Sequence, residues 1–572
     1  MTNHSPIQNK GFHCEKRHLL LLLSLMAAVI SFSICAYYIL YPAEGYLHSD
    51  CTDSLLWANA TVESGQVFDI NFRYAAMLPF SASLWFAPLI QMFGYTMTAQ
   101  TIGMLIFLVL FTLAAYFMCR SLEWSRTASF CMISAMLLML SGSDKLREIM
   151  WGHVIYYSLA LLVIMTGIGL TARLSKTIAE LQSQDYTDRN RKKTYIRAAV
   201  YAVLIAVLFT GNGTNGTQVI VMSSLSVFAA IFAERFFDTK CEVRTKRNLP
   251  TIVCLALILF STLFGLVILD ALKGDKFANY TSVYSSFSNM DEWYGNFAAF
   301  FESYFSLIGV VVKSGDPLFA KESLPSLIRI FGGISILVVP VVTLFRYSDI
   351  KHSGTKIILW THIAVSAVIM FGMICGKLGN ANWRLTPMVG TAIMATVATV
   401  REFLLAIKEK EYLGAPAAKF RTGVALCTLL ILFSAVNAND IRKMPADYGR
   451  DNSLHVLADE LEKRDLNYGY ATFWRSQAIT LLSDSKVKCR ETLVNKEGII
   501  TDYYQSSKLW YEDQEGVDRY FVILSESEYD KVVTTKHWKQ IMEESYLEDF
   551  ECAGCRVFVF DKNIILLGEF NG

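Results

Sequence analysis

Charge is what this sequence has little of. Only 18% of its 572 residues are Asp, Glu, Lys or Arg, the formal net charge is +1, and 53% are hydrophobic. That balance is too apolar for a soluble multidomain protein, and the mean hydropathy of +0.35 agrees. No basic face marks a nucleic-acid surface, so no nucleic-acid partner is expected. Internal repeats and low-complexity stretches are also missing, which removes the usual sequence sign of an inverted-repeat transporter. The apolar run after His18 is too long for a signal-peptide core and lacks a small-residue cleavage site. It reads as a retained span. Most of the 12 cysteines fall in apolar runs or on the expected inner side. An extracellular disulfide framework is therefore excluded.

What is present is a series of long apolar runs. Against the roughly 17 to 25 residues that a bilayer requires, spans are expected near 18–41, 97–119, 127–141, 154–172, 197–210, 217–233, 251–269, 327–345, 357–375, 386–407 and 422–438. The resulting fold class is mainly α, a polytopic membrane domain of about eleven helices. Basic residues then set the orientation. Lys10, Lys16 and Arg17; Arg189, Arg191, Lys192 and Lys193; Arg235, Lys240, Arg244, Lys246 and Arg247; Arg346, Lys351 and Lys356; and Lys408, Lys410, Lys419 and Arg421 all fall on one side of that count. By the positive-inside rule this side is the cytoplasm. A multi-pass plasma-membrane protein is expected, with residues 1–17 inside and the remaining chain divided into a membrane domain, 18–438, and a soluble extracytoplasmic α/β domain, 439–572.

Two apolar segments are left out of the count. Ala75–Gly94 carries Pro79 and Pro88 and suits a broken helix lying on the outer surface better than a straight span. Trp293–Val312, aromatic-rich and carrying Glu302, is placed there too. In the last 130 or so residues, a normal domain size, helices are expected at Ser453–Arg464 and Trp474–Leu482. Strands are expected at Tyr468–Ala471, Tyr520–Leu524, Arg556–Phe560 and Ile564–Leu567, the last two around a turn at Asp561–Asn563.

Candidate chemistry collects in the outer connections. The loop 42–96 opens with Tyr46-Leu-His-Ser-Asp50-Cys-Thr-Asp53-Ser-Leu-Leu-Trp57. On one helix, Asp50 and Asp53 share a face, with Trp57 one turn beyond Asp53. Such a pair at a water–membrane boundary suits a general base or a cation site; helix capping and a favourable first-turn charge are the plainer alternative. Arg147, Glu148 and His153 lie in the next outer connection. Asn212 and Asn215 stand in the glycine-rich Thr210–Gln218 turn, which either brings backbone amides to a ligand or is simply tight. The stretch Lys377-Leu-Gly-Asn-Ala-Asn-Trp383-Arg384 returns to the same side. Arg384 offers a planar fork of donors suited to phosphate, the alternative being interfacial anchoring by Trp383 and Arg384. Cys552-Ala-Gly-Cys555 lacks a second ligand pair, so a turn disulfide or two free thiols are better readings than zinc. Asn59-Ala-Thr61 and Asn279-Tyr-Thr281 match the glycosylation acceptor pattern.

The order of these features resembles the glycosyltransferase C superfamily, including its protein mannosyltransferases and lipid A aminoarabinose transferases. The resemblance is carried by Asp50 through Trp57 and Gly65, by the proline-containing helix closing on Phe93-Gly94, and by the long span ending at Arg120. It implies an enzyme that moves a sugar from a polyprenyl-phosphate donor to a glycan, lipid or protein acceptor at the outer face, with inversion. It further implies Asp50 as general base, Asp53 as a second acid that orients the acceptor or holds a cation, and Arg384 with Lys377 as donor-phosphate contacts. Cys51 stands where many members carry a second adjacent acid, which leaves the division of labour between Asp50 and Asp53, and any divalent cation, open. The alternative class is a secondary transporter or lipid flippase, which places its polar groups near mid-membrane.

Overall fold

The computed structural model describes residues 8–182, 188–237, 248–273, 286–318, 320–378, 381–405, 415–502 and 504–568. Lys240, Arg244, Lys246, Arg247, Lys408 and Lys410 and the Asn279 acceptor pattern lie outside them.

Ten described helices are long and apolar enough to cross a membrane: Arg17–Leu40, Met97–Ser121, Tyr156–Gln182, Arg191–Gly213, Thr217–Phe237, Leu249–Lys273, Lys321–Phe345, Ser353–Ile374, Asn382–Leu405 and Ala417–Lys443. The eleventh expected span is the 14-residue helix Arg126–Met139. At about 1.5 Å per residue it rises roughly 21 Å, short of a bilayer core. It still joins the two ends of the bundle, between the turn that packs Trp124 under Arg401 and the turn where Trp151 donates to Ser141. Ser83–Phe93 is an 11-residue helix containing Pro88, and Trp293–Leu307 has 15 residues. Neither is a span.

Contacts sort the helix ends into two groups. At one end, Lys176 pairs with Glu123, Arg197 with Glu180, and Lys419 with Asp349. The other end gathers residues 42–57, 95–100, 144–156, 213–218, 376–378 and 381–386. Glycines let the helices close there: a Cβ on Gly213 would lie 2.4 Å from Thr262 O, and one on Gly265 would lie 2.1 Å from Thr210 O. The polar Thr210–Gln218 stretch is thus first a packing device. Its Gly216, at φ +89°, makes the turn into the next helix.

After Lys443 the chain forms an α/β unit. Its six-stranded sheet runs β4-β3-β2-β6-β8-β7, with β2 Tyr468–Ala471, β3 Lys488–Asn495, β4 Gly498–Thr501, β6 Tyr520–Ser525, β7 Tyr546–Cys552 and β8 Cys555–Phe560. Strand β2 is parallel to β3 and β6. Such a pairing needs a crossover, and helix Phe473–Leu482 supplies the one to β3. The expected strand Ile564–Leu567 is absent. Its end is the 3-10 turn Leu566–Gly568, and β8 pairs instead with β7 before it. Cys552-Ala-Gly-Cys555 is that hairpin's turn, with Ala553 and Gly554 both at positive φ and both thiols free.

This unit sits on the second end of the bundle. Two remote dipeptides, β1 Phe72–Arg73 and β5 Ser506–Ser507, form a separate antiparallel pair. Asn452 donates to Gly45 O at 2.6 Å, Ser485 to Tyr95 O at 2.6 Å, and Met97 N to Asp484 at 2.8 Å.

Candidate functional site

The first outer turn is built in two steps. Ser49–Thr52 is a 3-10 turn, closed by Cys51 N to His48 O at 2.9 Å and Thr52 Oγ1 to Ser49 O at 2.7 Å. Helix Asp53–Ser64 follows and ends on Gly65 in the left-handed region. Asp50 and Asp53 therefore do not share one helix: Asp50 belongs to the 3-10 turn and Asp53 opens the helix that follows, although at three residues per turn the spacing still stacks i over i+3. Asp53 is buried in the helix's first turn and Asp50 is half-exposed. No side-chain cap closes this helix; its N-cap residue is Thr52.

Asp53 is flanked on two sides. Gln505 Nε2 donates to Asp53 Oδ1 at 2.8 Å, and Trp57 Nε1 donates to Gln505 Oε1 at 2.8 Å. Indole N–H is a donor only, so Trp57 fixes which end of the amide faces Asp53. On the other side His153 Nε2 stands 3.6 Å from Asp53 Oδ2. The loop bearing His153 is itself tied down: Gln100 Nε2 donates to Cys51 O at 3.1 Å and Gly152 O at 3.0 Å, and Ser54 donates to Val154 O. Burial pushes the Asp53 carboxyl up to about 6; His153 and Gln505 oppose the rise and Asp50 adds to it. Such a carboxylate sits near the working range of a general base.

A second acid comes from the C-terminal unit. Glu491, on β3, is 1% exposed, and its Oε2 has no hydrogen-bond partner. Burial, with the charges of Asp502, Asp53 and Asp50, pushes this carboxyl up to about 10. It is uncharged at neutral pH.

Beside the acids lies a cavity of about 530 Å³. Its polar wall carries Tyr156, Tyr157, Gln218, Lys273 and Arg384, and its apolar wall Leu269, Phe287 and Phe371 among others. Arg384 is presented by the 3-10 turn Asn382–Leu385. Tyr156 lines the cavity, and its hydroxyl feels the charges of both Arg384 and Asp53. Asp50 and Asp53 themselves do not line this cavity.

The other expected site residues scatter. Asn215 lines the cavity, but its amide is spent on Phe80, accepting from the backbone N at 3.1 Å and donating to the O at 2.7 Å. Asn212 is fully buried and bonds Ser223 and Ser224 at 2.8 and 2.6 Å, away from the cavity. Arg147 is buried against Ser141 O, Asp144 and the Tyr38 ring. Glu148 joins His48 and Lys145. Lys145 also lies 5.1 Å over the Trp383 ring. Lys377 is exposed; Gly376 and Leu378 beside it line the cavity. Among the described residues the grouping of metal-ligating type is His48, Cys51 and Glu148. Sequence reasoning missed Gln505, Glu491, Tyr156 and Lys273. Only Tyr156 left a local signal, as an aromatic pair three residues after His153.

No protein-family model matches the sequence, and no curated protein matches it. Among solved structures, the chain is similar to ArnT from Cupriavidus metallidurans in the apo state, at 13% identity and TM-score 0.45 over 98% of this chain and 100% of that one. The same protein bound to undecaprenyl phosphate gives 11% identity and TM-score 0.45 over 95% and 98%. The archaeal oligosaccharyltransferase AglB from Archaeoglobus fulgidus, in complex with an inhibitory peptide and a dolichol-phosphate, gives 11% and 0.44 over 96% and 74%.

Proposed function

We propose that this integral membrane protein is a glycosyltransferase that moves a sugar from a polyprenyl-phosphate donor to an acceptor hydroxyl or amine, with Asp53 as general base. The observation that carries the reading is one run of side chains: Arg384 in the wall of a large, mostly apolar cavity, Tyr156 beside it, and buried Asp53 beyond. An apolar wall suits a lipid chain, and a guanidinium suits the phosphate at its head.

In the proposed step the Asp53 carboxylate takes the acceptor's proton as the acceptor attacks the anomeric carbon. The bond from that carbon to the phosphate oxygen breaks, its electron pair leaves with the lipid phosphate, and the added negative charge is met by Arg384. Attack opposite the leaving group inverts the centre. What favours Asp53 over Asp50 as base is its burial and its fixed partners. The orientation follows from the basic end: with that end in the cytoplasm, the acids, the cavity and the C-terminal unit face outward.

Purified protein in liposomes, given a polyprenyl-phosphate sugar and membrane acceptors, tests the reading by mass analysis of the products. Transfer by the wild type with none by Asp53→Asn, at equal expression, supports it. Unchanged products from Asp53→Asn refute the base assignment, and an absence of transfer from every lipid-phosphate sugar refutes the function.

A further inference from the structure

The turn after the first span gathers three donor side chains that the transfer chemistry does not use. His48, Cys51 and Glu148 each present one ligand atom, and the three atoms lie within 4.8 Å of one another. His48 Nε2 is 3.1 Å from Glu148 Oε2. Two separate loops bring them together. His48 and Cys51 belong to the Ser49–Thr52 turn and its N-cap, whereas Glu148 starts the π-helical turn Glu148–Gly152. Gln100, bonded to a carbonyl on each loop, holds the two at this spacing.

Two further observations point to a ligand. Nδ1 of His48 is buried without a regular hydrogen bond, and the ring faces both the Cys51 thiol and the Glu148 carboxylate. Alongside is a pocket of about 20 Å³ lined by Cys51, Glu148, Gln100 and Gly152. It has room for one water-sized particle.

We propose that His48, Cys51 and Glu148 bind one zinc-type divalent ion, with the fourth position taken by water. A nitrogen, a sulfur and a carboxylate oxygen form a donor set for zinc and its neighbours; magnesium and calcium prefer oxygen alone. Bonds of 2.0 to 2.3 Å put tetrahedral ligand atoms roughly 3.3 to 3.8 Å apart, so His48 Nε2 and Glu148 Oε2, at 3.1 Å, already stand near that spacing and the widest pair closes by at most about 1 to 1.5 Å. Binding displaces the Cys51 thiol proton. It also displaces Lys145, whose Nζ lies 2.6 Å from Glu148 Oε2 and whose side chain is 31% exposed, free to swing into solvent. The bound ion ties the loop that bears Asp53 to the loop that bears His153.

The test is metal uptake by the full-length protein, purified without a histidine tag, stripped of metal and titrated with zinc alone or cobalt(II) alone. One equivalent is expected, and the cobalt form is expected to show the near-ultraviolet charge-transfer band of a thiolate ligand. Cys51→Ser abolishes that band, and Glu148→Gln weakens binding at least tenfold. Lys145→Ala, which removes a competing cation and no ligand, tightens binding several-fold. Three results overturn the proposal: no saturable uptake by the wild type, a wild-type cobalt spectrum without the thiolate band, or looser binding in Lys145→Ala. Because metal uptake is read rather than sugar transfer, this site and the transferase reading fail independently.

Discussion

Asp53 and Gln505, 452 residues apart in the chain, are joined by a 2.8 Å hydrogen bond whose direction Trp57 dictates. The amide belongs to the C-terminal unit and the acid to the membrane domain. Gln505→Ala removes the donor without touching the cavity wall. The expected result is a turnover about tenfold lower, the loss from roughly 1 to 2 kcal/mol of hydrogen-bonded positioning, with little change in the KM for the lipid donor. Steady-state kinetics on the liposome system distinguishes this from a general loss of folded protein.

The two acids are expected to separate. General-base removal typically costs 10²- to 10⁴-fold, so Asp53→Asn loses at least ~100-fold in turnover by that measure. Asp50→Asn, altering a half-exposed group on a turn, stays within about tenfold of wild type on the same scale. The order reversed returns the base role to Asp50.

At Arg384, charge and shape are separable. Arg384→Lys keeps the charge but loses the planar fork. It is expected to raise the donor KM roughly tenfold, the ratio expected for losing about 1.4 kcal/mol of a charge-assisted contact. Arg384→Met is expected to lower turnover as well, since nothing then meets the leaving phosphate. Equal kinetics for wild type and Arg384→Met removes the residue from the site.

Glu491 predicts a pH dependence of stability. Unfolded, a glutamate ionises near 4.5; folded, this one keeps its proton up to about 10. A carboxyl raised in the folded state helps stability below its unfolded value and loses that help as pH climbs between the two. The slope has a ceiling of about 1.4 kcal/mol per pH unit. Glu491→Gln cannot ionise, so its Tm should gain on the wild type steadily from pH 5 to pH 9. Parallel melting curves across that range disprove the assignment.

Helix closure near the cavity is tested by Gly213→Ala. Its Cβ would meet Thr262 O at 2.4 Å, and overpacking of this kind costs about 1 to 3 kcal/mol. A fall of several degrees in Tm is expected, whereas Gly295→Ala, in helix Trp293–Leu307 with nothing within 4 Å, is expected to show no fall or a slight gain.

Much of the architecture could be read because apolar length is a strong signal. Every expected span has a helix at its place, and even the short Arg126–Met139 helix was found by its composition. At Asp50 and Asp53 the helical period did not show that the 3-10 turn Ser49–Thr52 comes before the helix that carries Asp53. Ile564–Leu567 misled similarly, since a short apolar run also suits a buried turn, and Ile564 is 0% exposed there. The partners of Asp53 had no local signature. Gln505 reaches the acid only because β5 pairs with β1, and a glutamine in a polar loop looks like any other.

That pairing of Phe72–Arg73 with Ser506–Ser507 orders events in biosynthesis. Every described helix long and apolar enough to cross a membrane precedes residue 444, so all of them are synthesised before the amide that Trp57 and Asp53 share. A chain halted there holds the described bundle with Asp53 lacking its Gln505 partner.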